Sequence, residues 1–97
     1  MGSTAASGHL WAVTSGWDGP FQHEEVLVAA GGPDEALRRA EEAFADVAQP
    51  VCRAKMRIAD LGALDEPTLV IGPRRSGAAL AADGDPVDLR CGAPLPD

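Results

Sequence analysis

The residues of this chain that could do chemistry fall into three groups. The first is basic. Arg53, Lys55 and Arg57 alternate with Cys52, Ala54, Met56 and Ile58. On an extended segment the three cationic side chains leave one face about 6.6 Å apart, close to the spacing of backbone phosphates in a nucleic acid. Arg74 and Arg75, between Pro73 and Ser76-Gly77, have the sequence context of a loop tip, where paired guanidinium groups can clamp a phosphate. These five residues form the candidate nucleic-acid-binding set. The competing reading is a solvated strand face and loop, neutralised by the 15 acids of the chain.

The second group is His9, His23, Cys52 and Cys91. No two of them have the close spacing of paired zinc ligands, so no metal site is expected. His23 beside Glu24 and Glu25 could move protons, but no nucleophile signature accompanies it. No enzyme activity and no cofactor are therefore expected. Gly31-Gly32-Pro33, opening a helix, superficially resembles an anion cradle. Asp34 and Glu35 place negative charge where a phosphate would approach, and the glycines match no dinucleotide or phosphate-loop fingerprint. A plain strand-to-helix turn is the better reading. The third group is Trp11 and Trp17, aromatic side chains of the type that anchor protein–protein contacts.

Composition bounds what these groups can serve. Ninety-seven residues make one domain, 45% hydrophobic and 24% charged, ordinary values for a globular chain. Aromatics are scarce at 4%, so the core must come from Ala, Val, Leu and Ile, and stability is expected to be modest and aided by a partner, a homodimer included. The net charge of −7 repels nucleic acid and anionic membrane at long range. Residues 1–37 hold no Lys or Arg, and all 8 bases lie between Arg38 and Arg90, so a polyanion site would have to be a local patch there. The N-terminus has neither the basic nor the apolar region of a signal peptide. No apolar run approaches the roughly 20 residues that span a bilayer. A cytoplasmic location without membrane contact is expected, with Cys52 and Cys91 as reduced, half-buried thiols.

The elements that must position these residues read as follows. Residues 1–8 form a disordered tail. His9 to Trp17 alternates as a strand, with Asp18-Gly19-Pro20 as a turn. Glu24 to Ala30 is a short apolar run bounded by glycines and reads as a buried strand. Pro33 opens an amphipathic helix with Asp34 and Glu35 in its first turn. Leu37, Ala40, Phe44, Val47 and Ala48 make its apolar stripe, and four-residue spacing pairs Asp34–Arg38, Glu35–Arg39 and Arg38–Glu42. Pro50 closes it. Val51 to Leu61 fits a strand with one basic face, or a helix ending at Gly62; the strand is preferred because it would form a hairpin with Thr68–Gly72. Ala78–Ala82 and Pro86–Cys91 offer a last, poorer hairpin, and 92–97 frays. The sum is one α+β domain over 9–91, β-β-α-β-β with one or two further short strands and a helix on one sheet face.

With that order in place, the middle of the chain resembles the N-terminal domain of ribosome hibernation-promoting factors. The likeness lies in a strand and a helix followed by Pro50-Val51-Cys52-Arg53-Ala54-Lys55-Met56-Arg57-Ile58 and by the strand Pro67-Thr68-Leu69-Val70-Ile71. It implies a small cytoplasmic binding module that regulates translation on the ribosome or RNA through the basic strand face. The alternative is an acidic protein-interaction partner of the immunity, antitoxin or accessory kind, contacting its target through Trp11 and Trp17. The geometry of Val51–Leu61 separates them: a continuous basic face needs that whole segment to be extended.

Overall fold

The computed structural model describes residues 8–17, 24–66, 68–74, 80–81 and 83–87. It holds five strands and one helix, namely β1 (Gly8–Thr14), β2 (Glu25–Ala30), α1 (Pro33–Asp46), β3 (Arg57–Leu64), β4 (Val70–Arg74) and β5 (Asp85–Pro86), with a 3-10 turn at Arg53–Lys55 before β3. The strands form one antiparallel sheet in the order β4-β2-β1-β3-β5. The chain is thus a small α+β fold, a sheet with one helix packed on it. Gly8, expected in the tail, already belongs to β1.

Register divides the sheet into two faces. Val13 pairs with Val26 and Ile58, and Trp11 with Val28; these side chains point toward α1. From the helix, Ala36, Leu37, Ala40, Ala43 and Phe44 are buried against them, with Met56 and Val87 closing the core. Phe44 is fully buried, as the three- and four-residue spacing predicted.

The stripe ends earlier than predicted. Val47 is 40% exposed, because the helix stops at Asp46. Ala48 takes the left-handed conformation at φ 56°. Its N–H donates to Ala45 O (3.0 Å), and the Gln49 N–H donates to Phe44 O (2.8 Å). This pair of bonds is the helix-closing motif that normally uses glycine at the left-handed position.

The strand predicted over Val51–Leu61 is corrected at both ends. It starts only at Arg57 and continues to Leu64. The reason lies in β1. The Cys52 N–H donates to Ser15 O at 2.9 Å, drawing the chain against the end of β1 before it can run alongside. Gly16, at φ 70°, lets the backbones nearly touch: a Cβ there would lie 2.5 Å from Cys52 O. The turn completes the approach, and the Arg57 N–H then donates to Thr14 Oγ1 at 2.8 Å.

The predicted hairpin of this segment with Thr68–Gly72 does not form. β3 pairs with β1 and β4 pairs with β2, on opposite sides of the sheet. The strands most apolar on both faces, β1 and β2, take the centre, while β3, carrying Arg57 and Asp60, and β4, carrying Pro73, lie outside them. Charges and proline are tolerated toward a sheet's edge but cost ladder bonds inside it. The last predicted hairpin, Ala78–Ala82 with Pro86–Cys91, lies largely outside the described residues; within them Asp85–Pro86 forms β5, which pairs with Arg57 and Ile58 of β3.

Candidate functional site

The five basic residues are not presented by one strand. Arg53 and Lys55 sit on the 3-10 turn, and Arg57 opens β3. At three residues per turn, side chains two apart diverge by about 240°, so the uniform row of cations does not exist. The Arg57 guanidinium is also engaged, donating to Gly84 O at 2.9 Å. Arg74 lies on β4, its Cα paired with that of Glu25, and not at a loop tip. Arg75 lies outside the described residues, as do His23 and Cys91. Cys52 is a half-buried free thiol.

The two tryptophans part company. Trp11 is buried in the core, its indole N–H donating to Ala30 O at 3.1 Å. It holds β1 to β2 and offers nothing to a partner, which corrects its assignment as an anchor. The alternation of β1 could have shown this, since Trp11 shares a parity with Val13 on the core side. Trp17 stays half-buried, its indole N–H buried without an acceptor. Gly16, the residue before Trp17, abuts the Cys52–Met56 backbone that carries the basic turn, an approach that linear spacing could not reveal.

Sequence reasoning missed one polar pair. His9 Nδ1 lies 2.8 Å from both carboxylate oxygens of Asp60, and Asp60 Oδ1 also accepts the Gly62 N–H at 2.9 Å. A carboxylate only accepts, so Nδ1 is the donor of this bond. The imidazole lies 6.1 Å from the Trp11 ring. It borders a cleft of about 320 Å³ lined by Gly8, His9, Gly31, Ala63 and Asp65. Among the described residues lining that cleft there is no hydroxyl or thiol nucleophile. Among the described residues, no group of three His, Cys, Asp or Glu gathers to hold a metal.

The Gly31-Gly32-Pro33 turn carries its own anion. Glu35 Oε1 accepts the Gly31 N–H at 2.9 Å, and Oε2 pairs with Arg39 at 3.0 Å and approaches Arg38 at 4.0 Å. The Gly31 bond, followed by the two guanidinium charges, holds the Glu35 carboxyl below its ordinary pKa. A phosphate would have to displace it.

The face of the sheet turned away from α1 stands apart. Register aligns Ile71, Leu27, Ala12 and Ala59 in a row across four strands, and Ala29, Leu10 and Gly62 in the next. These rows contain no charged side chain. Ala12 and Ala29 are buried, Leu10 and Leu27 are half-buried, and Ile71 is 45% exposed. At one end Glu25, itself buried, accepts the Ala81 N–H at 2.8 Å, so the chain passes over the sheet there. Among the described residues no helix or second sheet lies on the rest. Comparison with known protein families, with curated proteins and with solved structures finds no match to this chain.

Proposed function

We propose that this chain is a small non-enzymatic binding module whose partner is a protein, docked on the sheet face opposite α1. The apolar rows Ile71–Leu27–Ala12–Ala59 and Ala29–Leu10–Gly62 carry this reading. Antiparallel sheets that leave one face in water alternate apolar with polar residues, whereas β1 and β2 are apolar on both faces. A contiguous apolar patch of this kind marks a surface that another protein covers. The net charge of −7 and the dispersal of Arg53, Lys55 and Arg57 over a turn and a strand point the same way.

The test is retention of partners on the immobilised protein at about 50 and 200 mM salt, with Leu27→Lys and Ile71→Lys as variants. Apolar docking is insensitive to that change in salt, and both variants should abolish capture. Capture that survives Leu27→Lys overturns the reading.

A second reading keeps the ribosome or RNA as partner, in line with the resemblance to hibernation-promoting factors. What supports it is the approach of Gly16, the residue before Trp17, to the backbone of the Arg53–Lys55 turn; aromatic rings and cations together are how single-stranded nucleic acid is held. On this reading, neutralising Arg53, Lys55 and Arg57 should weaken ribosome retention and flatten its salt slope by about two to three counterions.

A further inference from the structure

We propose that two copies of this chain join through their β4 edges, about a two-fold axis, so that the two five-stranded sheets become one. The inference concerns a different surface from the apolar face and stands independently of it.

Among the described residues β4 ends the sheet on one side. The Ala29 N–H donates to Leu69 O at 2.9 Å, and the alternation of an antiparallel ladder then turns the N–H and C=O of Val70 to the open side. An edge with outward N–H and C=O groups is a template for another strand. Val70, paired with Val28, points to the α1 side of the sheet and is nevertheless 45% exposed. It floors a groove of about 450 Å³ whose wall is one side of α1: Arg38, Arg39, Glu42, Ala43 and Asp46.

The charges of that wall choose the occupant. Arg38 and Arg39 lie toward the helix N-terminus, Glu42 and Asp46 toward its C-terminus, and no basic residue occupies the last turn. Glu35 draws on both arginines and Asp34 shares the first turn, but the charged residues that line the groove itself are the two arginines, then Glu42 and Asp46. The wall is therefore positive at one end and negative at the other over about 12 Å of helix. A two-fold axis beside β4 makes the two helices antiparallel, so each positive end faces the partner's negative end. A parallel arrangement would oppose like charges. Any foreign strand would need the same pattern by coincidence, whereas a second copy carries it by symmetry. Because α1 rests chiefly on β2, the helices would stand about three strand spacings apart, roughly 14 Å. Arginine and glutamate side chains can bridge that gap above the paired Val70 side chains.

Light scattering and sedimentation on the intact chain test this. The expected mass is twice the 10.0 kDa of one chain, with Val70→Lys giving monomer. A doubly substituted Arg38→Glu/Arg39→Glu protein should be monomeric, and so should Glu42→Arg/Asp46→Arg. Mixed one to one, they should recover the doubled mass as a heterodimer. Circular dichroism confirms that each variant folds. A wild type that stays monomeric up to about millimolar concentration overturns the proposal, as does a dimer that survives Val70→Lys. Dissociation by Leu27→Lys alone would also overturn it, by moving the self-contact to the apolar face. Failure of the charge-swapped pair to associate would remove the charge argument and with it the choice of a second copy.

Discussion

Both faces of the sheet carry apolar residues, but among the described residues only one has a helix packed on it. On the α1 side, Trp11, Val13, Val26, Val28 and Ile58 meet Leu37 and Phe44 and are all buried. On the other side Leu10, Leu27 and Ile71 carry the same chemistry and keep substantial exposure. Burial at about 25 cal/mol per Å² is what makes such residues stabilising. The first face therefore holds the fold together, and the second holds hydrophobic free energy that is not realised within the described chain. If the proposed docking holds, stability and recognition sit back to back on the same two strands, and single substitutions should separate them.

The largest effect belongs to the closed face. Phe44 is fully buried, so Phe44→Ala should cost about 3–5 kcal/mol, read from chemical denaturation. A loss below about 1 kcal/mol would mean that the helix is not the lid of the core, and the contrast between the faces would vanish.

Next comes a place where the chain passes over the second face. Glu25 is buried and bonded to the Ala81 N–H. Glu25→Ala should cost about 1–3 kcal/mol, the usual penalty for orphaning a buried donor. An unchanged midpoint would show that the Ala81 segment needs no such tie.

A gain is expected at the end of α1. Ala48 occupies a left-handed position at φ 56°, where a Cβ costs about 1–2 kcal/mol. Ala48→Gly removes that cost but loosens the unfolded chain, so a net gain of about 0.5–1 kcal/mol is expected. Differential scanning calorimetry should show a higher Tm, and a fall would refute the closing motif.

The open face should respond little. Leu27→Ala is expected to change stability by less than about 1 kcal/mol, because a half-exposed site leaves no cavity to form. A loss approaching that of Phe44→Ala would show that the face is covered and would remove it as a docking surface.

How much of this was legible in the sequence follows from the range of the forces involved. α1, its proline start and the burial of Phe44 are consequences of local spacing, and they stand as read. β1 and β2 were visible as apolar runs. The partners of β3 and β4 were not, because a strand's pairing is decided by competition among all strands for the centre of the sheet, and Asp60 and Pro73 lost that competition. The basic row failed for a similar reason. Alternation over Cys52–Ile58 is real, but Ser15 and Gly16, some forty residues earlier, bend the backbone that carries it. The same long-range contact set Gly16 against the backbone of Cys52–Met56. His9 and Asp60 are 51 residues apart, and only the β1–β3 register makes them a pair.

The smallest expected effect concerns pH, and it tests whether the α1 face depends on its polar rim. Glu35 is held below its ordinary pKa chiefly by the Gly31 N–H and then by Arg39 and Arg38. A carboxyl depressed in the folded state binds fewer protons there than in the unfolded chain. Its contribution is therefore present above the unfolded pKa and is lost as pH falls through the folded one. The side chain is 36% exposed, so screening leaves only a fraction of a kcal/mol, within the roughly 0–1 kcal/mol of surface ion pairs. Urea titrations should accordingly show wild type losing slightly more stability than Glu35→Gln between neutral pH and about pH 3, with the two curves converging at the acid end. A Glu35→Gln protein whose pH dependence superimposes on wild type would mean that the Gly31 bond does not hold the carboxylate, and that the turn is open to another anion after all.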